Sequence, residues 1–311
     1  MERVVRVPRW TGKIYGYLLV LTAATFWGVS GTVVQKLFAS YSFTAEWLVV
    51  TRLLISGVIL IVYGICTKAK ETWAIWTTKD RIALIIFGIV GLLGVQYTFF
   101  AAIAHSNAAT ATLLQYLGPV LIVFYFSFLH RKLPTHLEWI AIAFALIGSF
   151  FLITGGNWNQ LSITPKALFW GIASAFGLAF YTVQPVSLLR CWGSITIVGW
   201  GMLIGGIGLA ILQPPWNVVG IWTGKSIFFY LFVILFGTLI PFLLYLESLN
   251  HIQASETSLI SCAEPLSAAI VAVIWLHVPF GIMEWIGATF IMGTILILAI
   301  QKEKETSTKI E

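Results

Sequence analysis

Residues 91–140 of this chain align without a gap on residues 237–286, 146 positions later: Gly91 meets Gly237, His105 meets His251, and Pro119 meets Pro265. Glu138-Trp139-Ile140 likewise meets Glu284-Trp285-Ile286. Earlier segments align at an offset of 149, which puts Trp27-Gly28 on Phe176-Gly177, Val34-Gln35 on Val183-Gln184, and Gly57 on Gly206; three residues are lost in one loop. A pattern written twice folds into two like units. If each unit crosses a membrane an odd number of times, the two must lie in opposite orientations. Two inverted units around a midplane site can exchange conformations and open opposite ends of one cavity, which points to transport before any catalytic motif is sought.

The membrane reading rests on composition. Of 311 residues, 59% are hydrophobic and 10% charged, with a mean hydropathy of +0.93; soluble domains carry about 25% charged residues. About 20 apolar residues cross a hydrocarbon core, and ten such runs occur, near 14–35, 44–65, 82–104, 108–129, 136–154, 166–189, 194–212, 226–249, 254–277 and 281–300. They are continuously apolar and do not alternate with a period of two, so helices fit and a barrel does not. The expected fold is therefore an all-α integral membrane protein of ten transmembrane helices, arranged as two inverted five-helix repeats. Residues 1–13 form a cytoplasmic tail, 14–154 the first repeat, 155–165 an extracellular linker, 166–300 the second repeat, and 301–311 a second cytoplasmic tail. The first apolar run exceeds the h-region of a signal peptide and is expected to be retained.

Cytoplasmic loops retain Lys and Arg. With the N-terminus inside, Arg3, Arg6, Arg9, Lys13, Lys68, Lys70, Lys79, Arg81, Arg131, Lys132, Arg190, Lys302, Lys304 and Lys309 are cytoplasmic, against Lys36, Lys166 and Lys225 outside. Both termini are thus expected in the cytoplasm, in a bacterial inner membrane. The net charge of +6 sits in short juxtamembrane loops, where anionic lipid headgroups account for it without nucleic acid. Cys66, Cys191 and Cys262 are too few and scattered for a disulfide framework, and no spacing of His, Cys or acidic residues suggests a metal or a cofactor. Most of the tryptophans, Trp47 and Trp76 among them, fall near span ends and read as an interfacial belt. Gly201, Gly205, Gly206 and Gly208 read as close helix contacts. The longest connection, residues 213–225, suits a lid or an interfacial turn.

Trp27-Gly28 in the first span, Arg52 in the second, Pro119 in the fourth, Glu264-Pro265 in the ninth and Trp285-Ile286-Gly287 at the start of the last recur in a fixed order on the duplicated frame. In this the chain resembles the drug/metabolite transporter superfamily, specifically the ten-helix exporters built from two EamA domains, over nearly its whole length. The resemblance implies export of amino acids or related metabolites. One departure stands out: such domains often end the fourth and ninth spans with Gly-Glu, whereas here His130-Arg131 and His277-Val278 stand there.

Counted at 1.5 Å per residue, Arg52 and Glu264 lie roughly 12 and 15 Å into their spans, both near the midplane. Each is unique to its half, since Arg52 aligns with Gly201 and Glu264 with Gly118. A charge at that depth costs about 2.5–3.5 kcal/mol and faces a cavity or a partner. Two readings stay open: Glu264 exchanges a proton or a cationic solute in competition with Arg52, or the two form a structural ion pair. Pro265 cannot donate to the Ser261 carbonyl nor Pro119 to that of Gln115, so both helices either kink or offer a free carbonyl. On the ninth span Thr257, Ser261, Glu264, Ala268 and Trp275 share a face. Gln115 aligns with Ser261, and Trp27, Gln96, Tyr97, Tyr116, Tyr181, Gln184 and Tyr245 add aromatic and amide groups to the candidate cavity. Ser255 suits an N-cap, with Glu256 just behind it complementing the helix dipole.

These residues describe a secondary transporter of a small organic solute, with the lipid bilayer and protons as its other partners, as a monomer or a homodimer. Uptake of a choline-like quaternary amine is the alternative that an acidic, aromatic cavity favours. An intramembrane enzyme would need a paired nucleophile or metal ligands, and a non-transporting scaffold or sensor would need a soluble module.

Overall fold

The computed structural model describes residues 9–131, 133–156, 163–248, 251–252, 260–261 and 263–308. The expected linker residues 157–160, together with Cys262, Ser255, Glu256, Thr257, Arg3, Arg6, Lys132 and Lys309, lie outside them. Every regular element among the described residues is helical. The first half contains α1 (Arg9–Tyr41), α2 (Ala45–Ala74), α3 (Asp80–Ile86), α4 (Gly94–His105), α5 (Ala108–Gln115), α6 (Gly118–His130) and α7 (His136–Thr154). The second contains α8 (Pro165–Val183), α9 (Val186–Trp192), α10 (Ser194–Ala210), α11 (Gly224–Ile234), α12 (Ile240–Ser248), α13 (Ala263–Leu276) and α14 (Ile282–Thr308).

Among the described residues six stretches are long and apolar enough to cross a membrane: Lys13–Tyr41, Ala45–Thr77, Asp80–His105, Ala108–Leu129, Pro165–Val183 and Gly224–Tyr245. Shorter apolar helices cover His136–Phe151, Ser194–Ala210 and Ala263–Leu276. Polar side chains set the helix starts. Thr44, Asn107 and Thr164 accept from the backbone N–H three residues on, and Thr135 with Glu138 closes a capping box, each satisfying donors that a helix start leaves bare. Inside α2 the backbone of Lys68 leaves the helical region, at φ −146° and ψ 57°, which kinks the helix before its last turns.

The two halves meet along seams that exchange with each other under the repeat. Gly57 of α2 abuts Leu203 of α10, whose backbone N would lie 2.8 Å from a Cβ added to the glycine; Gly206 abuts the side chain of Leu54 at 2.9 Å. The 149-residue offset swaps Gly57 with Gly206 and Leu54 with Leu203. The second seam behaves alike. A Cβ on Gly148 of α7 would meet the Gly287 carbonyl of α14 at 2.8 Å, while Thr294 donates to the Ala141 carbonyl at 3.1 Å; the 146-residue offset swaps these pairs too. Phe144 and Phe290, equivalent to one another, touch edge to face at 5.1 Å between them. In both seams numbers rise on one helix as they fall on the other, so equivalent helices run antiparallel. Such self-complementary contacts are the mark of a two-fold relation. Outside the seams α1 packs on α12 and α13, and α8 on α4, α5 and α6.

The glycines of α10 do make close contacts, each leaving no room for a Cβ: Gly201 against Leu92 at 2.6 Å, Gly205 against the Gly88 carbonyl at 2.8 Å, and Gly208 against Ile89 at 2.6 Å. The tryptophan reading needs correction at Trp47, which is 3% exposed and so no lipid-facing belt residue. Its indole N–H donates to the Pro215 carbonyl at 3.0 Å, and Ile221 N donates to the Tyr41 carbonyl at 2.7 Å, strapping the 211–223 connection over the ends of α1 and α2. Phe43, Trp47, Trp222 and Tyr230 fill the space beneath, every pair in ring contact. At the opposite end of the α2–α10 seam, the Trp200 indole donates to the Thr72 carbonyl at 2.9 Å and that of Trp192 to the Asp80 carboxylate at 2.8 Å. This second strap holds the connection between α2 and α3, the counterpart of 211–223 in the repeat.

Candidate functional site

Two broken helices, one from each half, face each other. The first breaks at Tyr116 and Leu117, between α5 and α6. The second turns at Ser261, two residues before α13 begins. A proline follows each break, Pro119 and Pro265, and the missing N–H leaves a carbonyl without its helical donor. At Ser261 that carbonyl accepts from Glu264 N at 3.0 Å and lies 3.2 Å from the Tyr116 hydroxyl. The same hydroxyl lies 2.8 Å from Glu264 Oε2, so one phenol proton serves the carbonyl and the acid and spans the two breaks.

The Glu264 carboxyl is only part-buried, although its own helix is sealed one turn on, with Ala268 and Ala269 at 0% and 2% exposure. Around it, Tyr245 lies within electrostatic reach of Glu264, and Tyr181 of Tyr245. Trp27 tilts against Tyr245 at 5.5 Å and meets Phe242 edge-on at 5.4 Å. Next to Trp27, Gly28 lets α1 touch α13 backbone to backbone: an added Cβ would sit 2.5 Å from the Glu264 carbonyl and nearer still to Ser267 Oγ. Ser267 donates to that same carbonyl at 2.9 Å. An acid held by a phenol, with Tyr245 and Trp27 beside it and Tyr181 beyond Tyr245, can bind a proton or an organic cation.

Of the expected site residues, the structure gathers Glu264, Ser261, Tyr116, Tyr245, Tyr181 and Trp27, with Gln115 at the end of α5 beside the first break. Gln184 is one turn beyond Tyr181 and is fastened elsewhere, its Nε2 donating to the Ala83 carbonyl at 3.0 Å. Arg52 and Gln96 lie apart, on α2 and α4. The Arg52 guanidinium stands over the Phe100 ring at 4.6 Å, and Phe100 contacts Phe38 of α1 at 6.2 Å. Phe38 is ten residues beyond Gly28, about 15 Å along the helix. The matched depth of Arg52 and Glu264 is thus not found, and among the described residues they form no ion pair. The residue count assumed an unbroken helix from 254, whereas the chain turns at Ser261 and α13 starts at Ala263. Neutralising Arg52 and Glu264 together is accordingly expected to be additive in thermal stability, to within about 0.5 kcal/mol, as for groups that share no contact. A larger interaction term in the double-mutant cycle would show that they meet.

Two features escaped the sequence. Tyr97 donates to Glu46 at 3.2 Å, with Trp170 edge-on at 5.4 Å. And π-helical turns occupy Phe87–Leu93 and Leu235–Leu239, the same place in each repeat. Phe87, in the first of these turns, stacks on Tyr181 at 5.6 Å. Only Gly91 and Gly237, already aligned, mark these turns in the sequence.

Residues 14–154 and 165–300 each match the EamA-like transporter family. The chain belongs to that family. An inner membrane transporter of Salmonella typhimurium, YicL, is 38% identical over 292 residues, covering 93% of this chain and 96% of its own length. The transporter YwfM of Bacillus subtilis is 26% identical and covers 95% and 97%. At 23% identity, the threonine/homoserine exporter RhtA of Salmonella typhimurium covers 72% of each chain. A crystal structure with 18% identity superposes with a TM-score of 0.64, over 93% of this chain and 98% of that one, and shares the fold. This EamA-like protein is a multi-pass membrane transporter and not an enzyme, with a small solute and the surrounding lipid as its partners.

Proposed function

We propose that the protein is a secondary transporter that exports an amino acid or related metabolite by alternating access, coupled to protons at Glu264. The carrying observation is the placement of that acid: half-buried, beside a helix break, and bound by Tyr116 from the other half. A carboxyl in that position exchanges its proton for the ammonium of a solute, and the phenol keeps it oriented in both states. The amino-acid class is supported by the likeness to a threonine/homoserine exporter. Flux of radiolabelled amino acids in proteoliposomes under an imposed proton gradient tests the reading; no flux above empty vesicles overturns it. Choline in the same assay tests the alternative that the Trp27, Tyr116, Tyr181 and Tyr245 cluster favours, uptake of a quaternary amine.

The proposed architecture is ten spans in two inverted five-helix repeats over residues 14–154 and 166–300, joined by the linker 155–165, with the tails 1–13 and 301–311 in the cytoplasm. Antiparallel packing of the equivalent pairs α2–α10 and α7–α14 supports inversion, and the basic residues support the sidedness. A reporter fused after Lys304 is expected to be cytoplasmic and one inserted at Asn157 external. An external C-terminus would remove the proposed orientation.

A further inference from the structure

We infer that Arg52 is a second recognition point, distinct from Glu264, that takes the carboxylate of the transported solute. This rests on the transport reading above and adds a solute charge to it. Arg52 is 5% exposed, and its Nε is enclosed with no acceptor. Its terminal nitrogens likewise have no acceptor among the described residues, yet they are not sealed off. The ring of Phe100 supplies a cation–π contact worth about 0.5–2 kcal/mol, whereas removing a charge from water costs several kcal/mol even after relaxation. A compensating anion is missing.

No neighbouring helix can provide one. Helices α4, α10 and α11 and the Leu235–Leu239 turn, which pack on α2, contain no Asp or Glu, and neither does α1, whose Phe38 touches Phe100. On α2 itself Glu46 is engaged by Tyr97, and Glu71 pairs with Lys68 at 3.2 Å beside the kink. No described residue supplies the anion, and the solute is the source assigned to it here. A carboxylate matches the planar guanidinium fork with two parallel hydrogen bonds. Gln96, one turn from Phe100 on the same helix and buried without a partner among the described residues, offers an amide donor beside it. The Phe38 ring contact and the Gly28 crossing lie about 15 Å apart along α1, so Arg52 and Glu264 stand at different levels of that helix and act at successive positions along the path.

The test uses a radiolabelled mixture of L-amino acids in counterflow, with the unlabelled acids or their methyl esters as competitors. Wild-type protein is expected to prefer the acids by about ten-fold or more, the value of a charge-assisted hydrogen-bond pair. Arg52→Gln should lose that preference and Arg52→Lys keep part of it; an undiminished preference in Arg52→Gln overturns the inference. Because the neutral variant can fail to fold, phenylglyoxal labelling of Arg52 in the wild-type protein, read by mass spectrometry, supplies a second readout. Acetate should slow the labelling and acetamide should not, and equal effects overturn the inference. A protein that carries none of the mixture but shows acetate shielding retains the anion site and overturns the amino-acid reading instead.

Discussion

Glu264→Gln is expected to abolish uphill accumulation of solute while leaving exchange down a gradient intact. Gln keeps the shape and an acceptor for the Tyr116 hydroxyl at the position of Oε2, now 2.8 Å away, so the two breaks stay joined. What it loses is the exchangeable proton. Among the described residues Glu264 is the only acid beside the helix breaks: Glu46 is held by Tyr97, Glu138 caps α7, and Glu247 pairs with His251 at 3.1 Å. Proton-driven accumulation in proteoliposomes should fall at least ten-fold, with counterflow within a few-fold of wild type; each ten-fold is about 1.4 kcal/mol of lost coupling. Wild-type accumulation by the variant would make Glu264 a purely structural acid.

Gly28→Val is expected to be the most damaging apolar substitution near the site. Its Cβ would press on the Glu264 carbonyl at 2.5 Å and on the backbone N of Ala268 at 2.8 Å, neither of which can rotate aside. Overpacking of this kind costs about 1–3 kcal/mol, and any relief moves α1 away from the acid. Thermal unfolding in detergent should shift down markedly, and flux should fall even in the folded fraction. Gly224→Ala, where nothing lies within 4 Å of the added atom, serves as the control and should change neither. Equal behaviour of the two variants would show that the α1–α13 crossing does not hold the site.

The legible parts of this protein are those that recur. Gly57 and Gly206, or Gly91 and Gly237, stand out because the chain states each twice, and the structure places both pairs where helices touch or change pitch. Glu264, Tyr116 and Ser261 were legible as a group because a proline beside an acid in an apolar run has few other uses. The depth of Glu264 was misjudged because depth along a helix cannot be counted through a break, and the turn at Ser261 depends on packing against α5 that no local pattern records. Trp47 was misjudged for a related reason. A tryptophan near a span end reads the same whether it meets lipid or the carbonyl of Pro215, 168 positions away in the chain. The ring beneath Arg52 belongs to another helix, and nothing in the spacing of α2 announces it.

The straps at the two ends of the α2–α10 pair are alike in geometry but not in residues. Trp47 falls at the repeat position of Thr196, and Trp200 at that of Thr51. A perfect duplicate would be degenerate: its two end states, each the other turned over, would be equally populated without solute or gradient. Here one end is strapped by four mutually touching rings and a proline carbonyl, the other by Trp200 against Trp73 and Trp76 and by two indole bonds, one of them to a carboxylate. Breaking the degeneracy by even 1.4 kcal/mol sets a ten-fold bias toward one resting state. A vectorial carrier can thus arise from a duplicated gene through divergence at its rims, before any change in the centre where the solute binds.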